Sequence, residues 1–360
     1  FTMKIALITD THFGARNDNL AFNEYFYKFW ENTFFPYLDE HKIDTIIHLG
    51  DLMDRRKFVS YKIAKDLRER FILPIVSRGI KMHVMAGNHD TYYKNTNEIN
   101  SLYELLGGPG EEKYPGIQCY DGPCTEEFDG TGIHFMPWIC SDNYERSMRS
   151  IDMTYAQICM GHFEINGFEM HKGHFSENGY DKKFLNKFDT VFSGHFHKKS
   201  DDGHVYYLGN TYQMTWSDDG CPKGFHIFDT DTRELERIVN PYTIFQKVYY
   251  DDTTTNYNDF DILTLKEKFV KIVVVNKKDL YQFDRFIDRV LSDSGAHEVK
   301  IVEDFSDLDA SNVDDAIIEN AEDTMTLLER YIDELDVDLN KKRLTSMMKS
   351  LYVEASDLEL

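Results

Sequence analysis

An apolar run that leads directly into acidic and imidazole side chains lies near the start of the sequence, Ile5-Ala6-Leu7-Ile8-Thr9-Asp10-Thr11-His12. Four apolar residues bounded by polar ones are typical of a buried β-strand. Similar runs recur at 5–8, 45–49, 82–85, 133–138, 156–160, 190–192, 205–208 and 225–228. Helical-length segments with apolar residues at three- and four-residue spacing lie between the early runs, at 19–40, 60–77 and 97–106. This alternation predicts an α/β layered sheet, and the closely spaced later strands predict a second sheet packed on the first.

Five of the predicted strands end in a turn that carries Asp, Asn or His. The turns are Thr9-Asp10-Thr11-His12, Gly50-Asp51-Leu52-Met53-Asp54, Gly87-Asn88-His89-Asp90, Gly161-His162 and Gly194-His195-Phe196-His197. Ligands of open α/β sheets bind outside the carboxyl ends of the strands, where residues distant in sequence converge. A single Asp or His at a strand end is usually a cap or turn residue, but five in order indicate one functional site.

The residue types at these turns suit divalent metal ions. Carboxylate, imidazole and amide ligands favour ions such as Mn²⁺, Fe²⁺ or Zn²⁺ over thiolate-loving ions. Seven candidates are too many for one ion and suit two ions that share a carboxylate: Asp10, His12, Asp51, Asn88, His162, His195 and His197. Two such ions clamp the attacking and leaving oxygens of a phosphoester. His89 is then placed to act as general acid on the leaving oxygen, and Asp90 is expected to orient its imidazole.

Taken together, the five motifs resemble those of the calcineurin-like metallophosphoesterases over about residues 3–240. The GNHD form of the third motif, where serine/threonine protein phosphatases have GNHE, favours the branch of DNA-repair nucleases. The whole chain, including the closing Leu351-Tyr352-Val353-Glu354-Ala355, is similar to nuclease subunits of the SbcCD type. It is especially similar to the shorter recombination exonuclease subunits of large tailed bacteriophages. The resemblance implies a four-layered α/β/β/α core with a small α/β cap and a C-terminal helix-loop-helix.

The resemblance also implies an activity and a ligand set. The activity is exonuclease and endonuclease cleavage of DNA at double-strand ends in recombination and double-strand-break repair. One ion would be held by Asp10, His12, Asp51 and His197, and the other by Asp51, Asn88, His162 and His195. His89 would be the proton donor, and the ions would be two Mn²⁺, with Mg²⁺ as the alternative. A phosphomonoesterase or protein phosphatase of the same fold is the main rival, and a scaffold without catalysis is a second one that the complete ligand set argues against.

The net charge of −23 argues against a nucleic-acid partner until the charge is located along the chain. Residues 301–360 carry 17 Asp and Glu against 5 Lys and Arg, which is about half of the excess. Residues 55–81 instead carry nine basic side chains against two acidic ones. Such a run is usually a solvated helix face. Many cellular relatives carry a histidine shortly after the second motif, whereas Asp54-Arg55-Arg56-Lys57 stand here. We interpret Arg55, Arg56 and Lys57 as contacts to DNA phosphates.

The length of 360 residues predicts two domains, or one large domain with appendages. We expect a nuclease domain at 3–244, a DNA-binding cap at 245–302, an acidic linker at 303–320 and a helical segment at 321–360. The cap is predicted from a strand at 270–276, a helix at 278–292 and a strand at 299–302. The tail has two amphipathic helices, which either fold back on the chain or bind another protein. Their apolar faces include Met325, Leu328, Ile332, Leu335, Leu344, Met348, Leu351 and Tyr352.

Partners and location follow from the resemblance and from the composition. The resemblance implies that the tail grips an SMC-like ABC ATPase at the base of its coiled coil, and that the nuclease forms a homodimer within a 2:2 heterotetramer. No apolar run is long enough to span a bilayer. Five cysteines without a C-x-x-C pair indicate neither a disulfide framework nor a zinc knuckle. A cytosolic protein is expected, in the bacterial host if a phage encodes it. The remaining histidines, among them His48 and His134, are expected to be structural.

Overall fold

The computed structural model describes residues 3–171 and 173–303, together with positions 332, 341, 344, 345, 347 and 348. Its strands are β1 (Lys4–Ile8), β2 (Thr45–His48), β3 (Lys81–Met85), β4 (Ile117–Tyr120), β5 (Cys124–Phe128), β6 (Thr131–Met136), β7 (Ile158–His162), β8 (Glu169–His171), β9 (His174–Phe175), β10 (Thr190–Gly194), β11 (Ser200–Asp201), β12 (Val205–Tyr207), β13 (Gly224–Asp229), β14 (Leu235–Val239), β15 (Phe245–Asp251), β16 (Phe269–Asn276) and β17 (Glu298–Val302). All eight strands predicted in the first 240 residues are present, with shifted ends.

The helices lie mainly between the early strands. They are α1 (Ala15–Asp18), α2 (Leu20–Phe29), α3 (Phe35–His41), α4 (Tyr61–Asp66), α5 (Leu73–Ser77), α6 (Ser101–Leu106), α7 (Tyr144–Met153) and α8 (Leu280–Asp293). Short 3₁₀ turns cover Lys182–Leu185, Trp216–Asp218, Tyr257–Asp259 and Ile262–Leu265. The side chains of Asn19 and Ser60 cap α2 and α4 by accepting backbone N–H groups.

Two of the predicted helices contain a wider π turn near their middle. The turn Trp30–Phe34 joins α2 to α3, and the turn Leu67–Ile72 joins α4 to α5. Each is followed at once by a helix with proline in its first two positions, Pro36 or Pro74. Proline lacks an N–H and its ring clashes with the carbonyl one turn earlier, so a locally widened turn lets the helix continue past it.

Two six-stranded sheets form the centre of the molecule. The first has the order β14-β13-β1-β2-β3-β4, and the second has the order β11-β12-β10-β7-β6-β5. Strands β1 to β4 pair in parallel in the first sheet, as do β6, β7, β10 and β12 in the second. The predicted second sheet is therefore confirmed. Because parallel neighbours end on the same side, the turns that follow them gather at one edge of each sheet.

The sheets pack face to face, and helices cover their outer sides. Ile5 and Leu7 of β1 share a buried cluster with Ile158 and Met160 of β7 between the sheets. Ala6 and Ile8, which point the other way along the strand, pack with the aromatic residues of α2 and its π turn. A third cluster packs α7 and the turn Lys182–Leu185 on the outer face of the second sheet. The layers are therefore α/β/β/α.

A small sheet of parallel strands, β15-β16-β17, follows the second half of the core. Helix α8 packs on it, as the sequence predicts, but β15 was not expected. Phe22 of α2 contacts both Phe245 and Phe269, with ring centroids 5.7 and 5.1 Å apart, and so joins the small sheet to the core. The domain boundaries given above stay a prediction.

Only a few tail positions belong to the described residues. Ile332 is helical and buried, and Leu344 and Met348 are helical and partly buried. The other residues of the predicted binding faces lie outside the described residues: Met325, Leu328, Leu335, Leu351 and Tyr352. Within the ranges given above, none of the helices has the length and apolar character that a membrane span requires.

Candidate metal centre

The carboxyl ends of five strands from both sheets meet at one place. Asp10 and His12 follow β1, Asp51 follows β2, and Asn88 follows β3, whereas the second sheet contributes His162 at the end of β7 and His195 and His197 just after β10. All seven residues that the sequence singles out are brought together there, and five of them are buried. The structure places them in two groups, and the Asp51 carboxylate lies close to an imidazole of each.

The first group contains Asp10, His12 and His197, whose potential ligand atoms all lie within 4.8 Å of one another. The Nε2 atoms of His12 and His197 are 3.1 Å apart. Each of them is 3.7 Å from Oδ1 of Asp10. Nε2 of His12 is also 3.6 Å from Oδ2 of Asp51. Two imidazoles and the Asp10 carboxylate therefore lie close together, with the Asp51 carboxylate beside one of the imidazoles.

The second group contains Asp51, His162 and His195. Nε2 of His162 lies 3.3 Å from Oδ2 of Asp51. The amide oxygen of Asn88 completes the group, at 3.1 Å from Nε2 of His162 and 3.0 Å from Nδ1 of His195. Asp51 belongs to this group and also lies 3.6 Å from His12 of the first group.

Electrostatics provide a test of whether this donor set fits divalent cations. Burial alone would lower the pKa of His162, but the neighbouring Asp51 carboxylate raises it to about 9. The pKa of His12 is likewise raised despite burial, by its hydrogen bonds to Asp10 and Asp54. The buried carboxylates therefore draw positive charge onto the neighbouring imidazoles. Two divalent ions would supply that charge, and the oxygen and nitrogen donors are the types that such ions bind, so the residues fit the metal pair.

Glycines let the ligand-bearing turns approach one another. A Cβ atom on Gly50 would lie 2.5 Å from Nδ1 of His162, and one on Gly87 would collide with Asp51. A Cβ on Gly194 would be 2.9 Å from Oδ2 of Asp10. No side chain larger than hydrogen fits at these positions without moving a candidate ligand.

Four candidate ligands themselves have left-handed backbone conformations. The φ angles are 52° for Asp10, 42° for His12, 56° for Asp51 and 87° for His195. Such conformations cost about 1–3 kcal/mol each in a residue with a side chain, and they concentrate at functional sites. Here they turn the chain sharply after each strand, so that the side chains point into the shared space.

Hydrogen bonds fix the orientation of the ligands. Nδ1 of His162 donates to the carbonyl oxygen of Leu49 at 2.8 Å, which leaves Nε2 directed toward Asp51 and Asn88. The Asp10 carboxylate accepts from the Thr9 hydroxyl at 2.6 Å and from the backbone N–H of His195 at 3.0 Å. The second contact joins the first sheet to the second at the site.

His48, which we expected to be merely structural, braces two of the motifs. Its Nδ1 accepts from the N–H of Gly50 at 3.2 Å, so its Nε2 donates to the hydroxyl of Thr11 at 2.9 Å. Burial lowers the pKa of His48 to about 3, which keeps the ring neutral and fixes these roles. Thr11 lies between two ligands of the first motif, and Gly50 precedes Asp51. In the sequence, the one indication that His48 supports these motifs is its position two residues before Gly50.

The expectation that Asp90 orients the His89 imidazole is wrong. Nδ1 of His89 lies 2.7 Å from the backbone carbonyl oxygen of Asp54 and donates to it. The Asp90 carboxylate instead accepts four backbone N–H groups and one hydroxyl. The N–H groups are those of Asp51 at 2.8 Å, Leu52 at 3.3 Å, Met53 at 3.0 Å and Gly87 at 2.9 Å, and the hydroxyl is that of Ser101 at 3.2 Å. Buried backbone N–H groups need an acceptor, and the Asp90 carboxylate provides it for these turns. Asp90 therefore connects the second motif to the third.

Asp54 has two contacts that the sequence did not reveal. In addition to holding His89 through its carbonyl group, it places Oδ1 3.2 Å from Nδ1 of His12. A carboxylate on the second nitrogen of a ligand imidazole fixes the ring and raises its basicity. His89 itself packs edge-on against His12, with ring centroids 4.9 Å apart, and one of its ring nitrogens lies within 4.8 Å of ligand atoms of His12 and Asp51.

The three basic residues after the second motif have different surroundings. Arg55 is partly buried, 3.5 Å from Oδ2 of Asp18, and its guanidinium lies 4.7 Å from the ring centroid of Phe58. Arg56 is also partly buried, whereas Lys57 is exposed, with Nζ 6.0 Å from the ring centroid of Tyr92. Part of the Arg55 charge is therefore engaged within the protein, while Lys57 faces solvent.

Comparison with known proteins adds independent findings. The sequence profile of the family described as "Calcineurin-like phosphoesterase" matches residues 3–199. The chain is 33% identical over 324 residues to "Exonuclease subunit 1" of Enterobacteria phage T4, a match that covers 89% of this chain and 90% of that protein.

Solved structures give weaker likenesses. An archaeal phosphodiesterase matches with a TM-score of 0.34 and 18% identity, over 66% of this chain and 99% of its own. GAP50, described as the anchor in the inner membrane complex of Plasmodium, matches with a TM-score of 0.39 and 12% identity, over 67% and 90%. Likenesses at these scores are too weak to support a conclusion about this chain.

Proposed function

Because the chain belongs to the calcineurin-like phosphoesterase family, we propose that it is the nuclease subunit of a DNA recombination and repair complex, which cleaves DNA at double-strand ends with two Mn²⁺ ions. That the chain is a metallophosphoesterase nuclease, which hydrolyses phosphodiester bonds, follows from the family and from the phage exonuclease relative. The observation that carries the proposal is the convergence of seven candidate ligand side chains in two groups, with the Asp51 carboxylate close to an imidazole of each.

Each residue has a role in this proposal. Asp10, His12, Asp51 and His197 would hold one ion, and Asp51, Asn88, His162 and His195 the other. When bound, the two ions would polarise the phosphate and activate water for attack. His89 donates through Nδ1 to the carbonyl oxygen of Asp54, which leaves Nε2 to deliver a proton to the leaving oxygen. Asp90 and His48 hold the ligand-bearing turns in place through the contacts described above.

The first experiment separates a nuclease from a phosphatase of the same fold. The purified protein is incubated with Mn²⁺ on linear duplex DNA and, in parallel, on a phosphopeptide. We expect cleavage of DNA and no release of phosphate from the peptide. Dephosphorylation of the peptide without DNA cleavage would favour the phosphatase, and inactivity on both substrates would favour a scaffold. Removal of metal with EDTA, followed by Mn²⁺ or Mg²⁺ alone, identifies the activating ion.

The second experiment addresses assembly. We propose that residues 245–302 contribute to DNA binding, that residues 321–360 bind an SMC-like ABC ATPase, and that two nuclease chains pair in a 2:2 complex. The relative in phage T4 is named as a subunit, which supports a partner. Co-expression with a coiled-coil ATPase, with and without residues 321–360, should give co-purification only with the full chain. Light scattering of the purified complex measures its stoichiometry. Co-purification that persists without the tail would contradict the assigned surface.

A further inference from the structure

Lys223 is a buried cation beside one of the candidate ligands, and nothing in the chemistry described so far uses it. It directly precedes β13 and is only 4% exposed. Its Nζ lies 2.5 Å from Oδ1 of Asp218 and 2.9 Å from the backbone carbonyl oxygen of His197. Removing an ammonium from water is strongly unfavourable unless it is well paired. A lysine buried at this place therefore indicates a requirement for its position.

The carbonyl group of His197 is held from more than one side. It accepts from Lys223 Nζ and also from the backbone N–H of Asn210, at 3.2 Å. Gly209 lies close beside it: its φ is 73°, and a Cβ there would be 3.0 Å from the same oxygen. These contacts fix the peptide that follows His197. The imidazole leaves the same residue and extends toward His12 and Asp10, so fixing the peptide limits how far the ring can move.

The anion that pairs with Lys223 is itself immobilised. The Asp218 carboxylate accepts the N–H groups of Met214 and Thr215, at 2.8 and 3.1 Å through Oδ2, while Oδ1 faces Lys223. Both oxygens are thus satisfied, and the pair has a single geometry. A buried ion pair whose partners are fully hydrogen-bonded favours one arrangement of the chain around it.

The same segment also holds the start of the small sheet. Gln213 donates through Nε2 to the carbonyl oxygen of Asp218 at 3.0 Å, and its Oε1 accepts the N–H groups of Ile244 and Phe245 at 2.9 and 3.1 Å. The ring of Trp216 packs on Phe245, with centroids 4.7 Å apart. Residues 213–218 therefore contact β15 on one side and, through Lys223, a candidate metal ligand on the other.

We propose that Lys223 is a positioning residue for the metal-binding imidazole of His197, and that the Asp218–Lys223 pair sets the affinity of the ion that His197 holds. The inference rests on the proposed function in one respect, the assignment of His197 as a ligand. Residues that orient metal ligands typically change metal affinity by about 10- to 100-fold when removed. Lys223 touches neither the ions nor the DNA in this account, so its effect should appear first in metal binding.

The test is a calorimetric titration of the metal-free full-length protein with Mn²⁺. Wild type should show two binding events, and Lys223→Met should weaken one of them about 10- to 100-fold while leaving the other largely unchanged. Lys187→Met is the control, because Lys187 also donates to backbone carbonyl groups, those of Ile151, Asp152 and Thr154, but is more exposed and contacts no candidate ligand. The Mn²⁺ concentration for half-maximal nuclease activity should rise in parallel for Lys223→Met alone.

The remaining outcomes separate the two levels of the argument. Unchanged Mn²⁺ binding in a folded Lys223→Met protein, or equal weakening in Lys187→Met, would overturn the positioning role and leave the nuclease assignment intact. If Lys223→Met does not fold, Asp218→Asn decides: it keeps the shape of the side chain and should weaken the same binding event, and no weakening would overturn the proposal. A wild-type protein that binds no Mn²⁺ and cleaves no DNA would instead remove the proposed function, and the role of Lys223 with it.

Discussion

Replacing Asp90 by asparagine should lower the stability of the protein, although it changes only one side-chain atom. The carboxylate collects five donors on two oxygens: Oδ2 accepts three backbone N–H groups, and Oδ1 accepts the N–H of Met53 and the hydroxyl of Ser101. Asparagine offers one acceptor oxygen and one NH₂ group. If its oxygen faces the three donors, its NH₂ group meets the N–H of Met53, and that buried N–H loses its partner.

The size of the effect follows from these contacts. An unpaired buried donor costs about 1–3 kcal/mol, and each hydrogen bond that loses a charged acceptor weakens by about 1 kcal/mol. With three such bonds on Oδ2, the lost contacts alone sum to about 4–6 kcal/mol. That is a large share of the 5–15 kcal/mol typical of a folded domain.

Urea unfolding of the metal-free protein, followed by circular dichroism at pH 8, measures this loss. Burial and the charge of Asp51 raise the pKa of Asp90 from 3.8 to about 6, so the wild-type carboxylate is ionised under these conditions. The neutral asparagine relieves that burial and repulsion, which corresponds to about 3 kcal/mol. We therefore expect Asp90→Asn to lower the free energy of unfolding by about 1–3 kcal/mol in total. Asp39→Asn is the control: it removes a carboxylate that binds Arg78 through two contacts of 2.9 and 3.1 Å at the surface, and we expect a loss below about 1 kcal/mol. An Asp90→Asn protein as stable as wild type but unable to cleave DNA would refute this reasoning and restore the idea that Asp90 acts on His89.

Three further predictions follow from single contacts. His89→Ala should lower kcat for DNA cleavage about 10²- to 10⁴-fold with Mn²⁺ binding unchanged; full activity would overturn the proton-donor role, and weaker Mn²⁺ binding would make His89 a ligand. Arg55→Ala should reduce cleavage of polymeric DNA more than hydrolysis of a small phosphodiester, and equal losses would indicate a metal-site or folding role. Burial, helped by the charge of Lys187, lowers the pKa of His134 to about 4, so stability should fall as the pH drops from about 6.5 toward 4, because the unfolded histidine takes up its proton first. His134→Gln should reduce the difference in urea midpoint between pH 7 and pH 5, and an unchanged difference would assign the acid sensitivity to other groups.

The strands that sequence reasoning missed share a position in the fold. They are β4, β5, β8, β9, β11, β14 and β15, and each is an outermost strand of its sheet. An edge strand has a neighbour on one side only, so it needs no continuous apolar run and tolerates polar residues such as the two glutamates of β5. The central strands, buried on both faces between sheet and helices, have the uninterrupted apolar runs that made them visible. The π turns were also missed, although Pro36 and Pro74 marked their places within otherwise regular helical patterns.

The candidate ligands could be predicted from the sequence because parallel strands end at one edge of a sheet. Polar side chains that follow successive parallel strands therefore converge. Their supporting contacts were not visible, because they depend on backbone atoms and on chain segments far apart in sequence. His89 is held by a carbonyl group, and a carbonyl group has no side-chain signature. Lys223 reaches the carbonyl of a residue 26 positions earlier. The sequence predicted that Asp90 orients the neighbouring His89, but most of the groups that donate to Asp90 belong to the preceding motif.

The same contacts explain how the fold accommodates two buried carboxylates where its two sheets meet. Asp10 and Asp51 are buried together, the pKa of each is held well below its usual range by the histidines around it, and four candidate ligands have left-handed backbones. Burying two carboxylates and holding four residues in left-handed conformations are each unfavourable for the folded chain when considered alone. A ligand that binds only the folded state stabilises it by an amount that grows with its concentration relative to its dissociation constant. Divalent ions that bind between these carboxylates would therefore offset the strain and the repulsion together, which makes the metal pair part of what stabilises the edge where the two sheets meet.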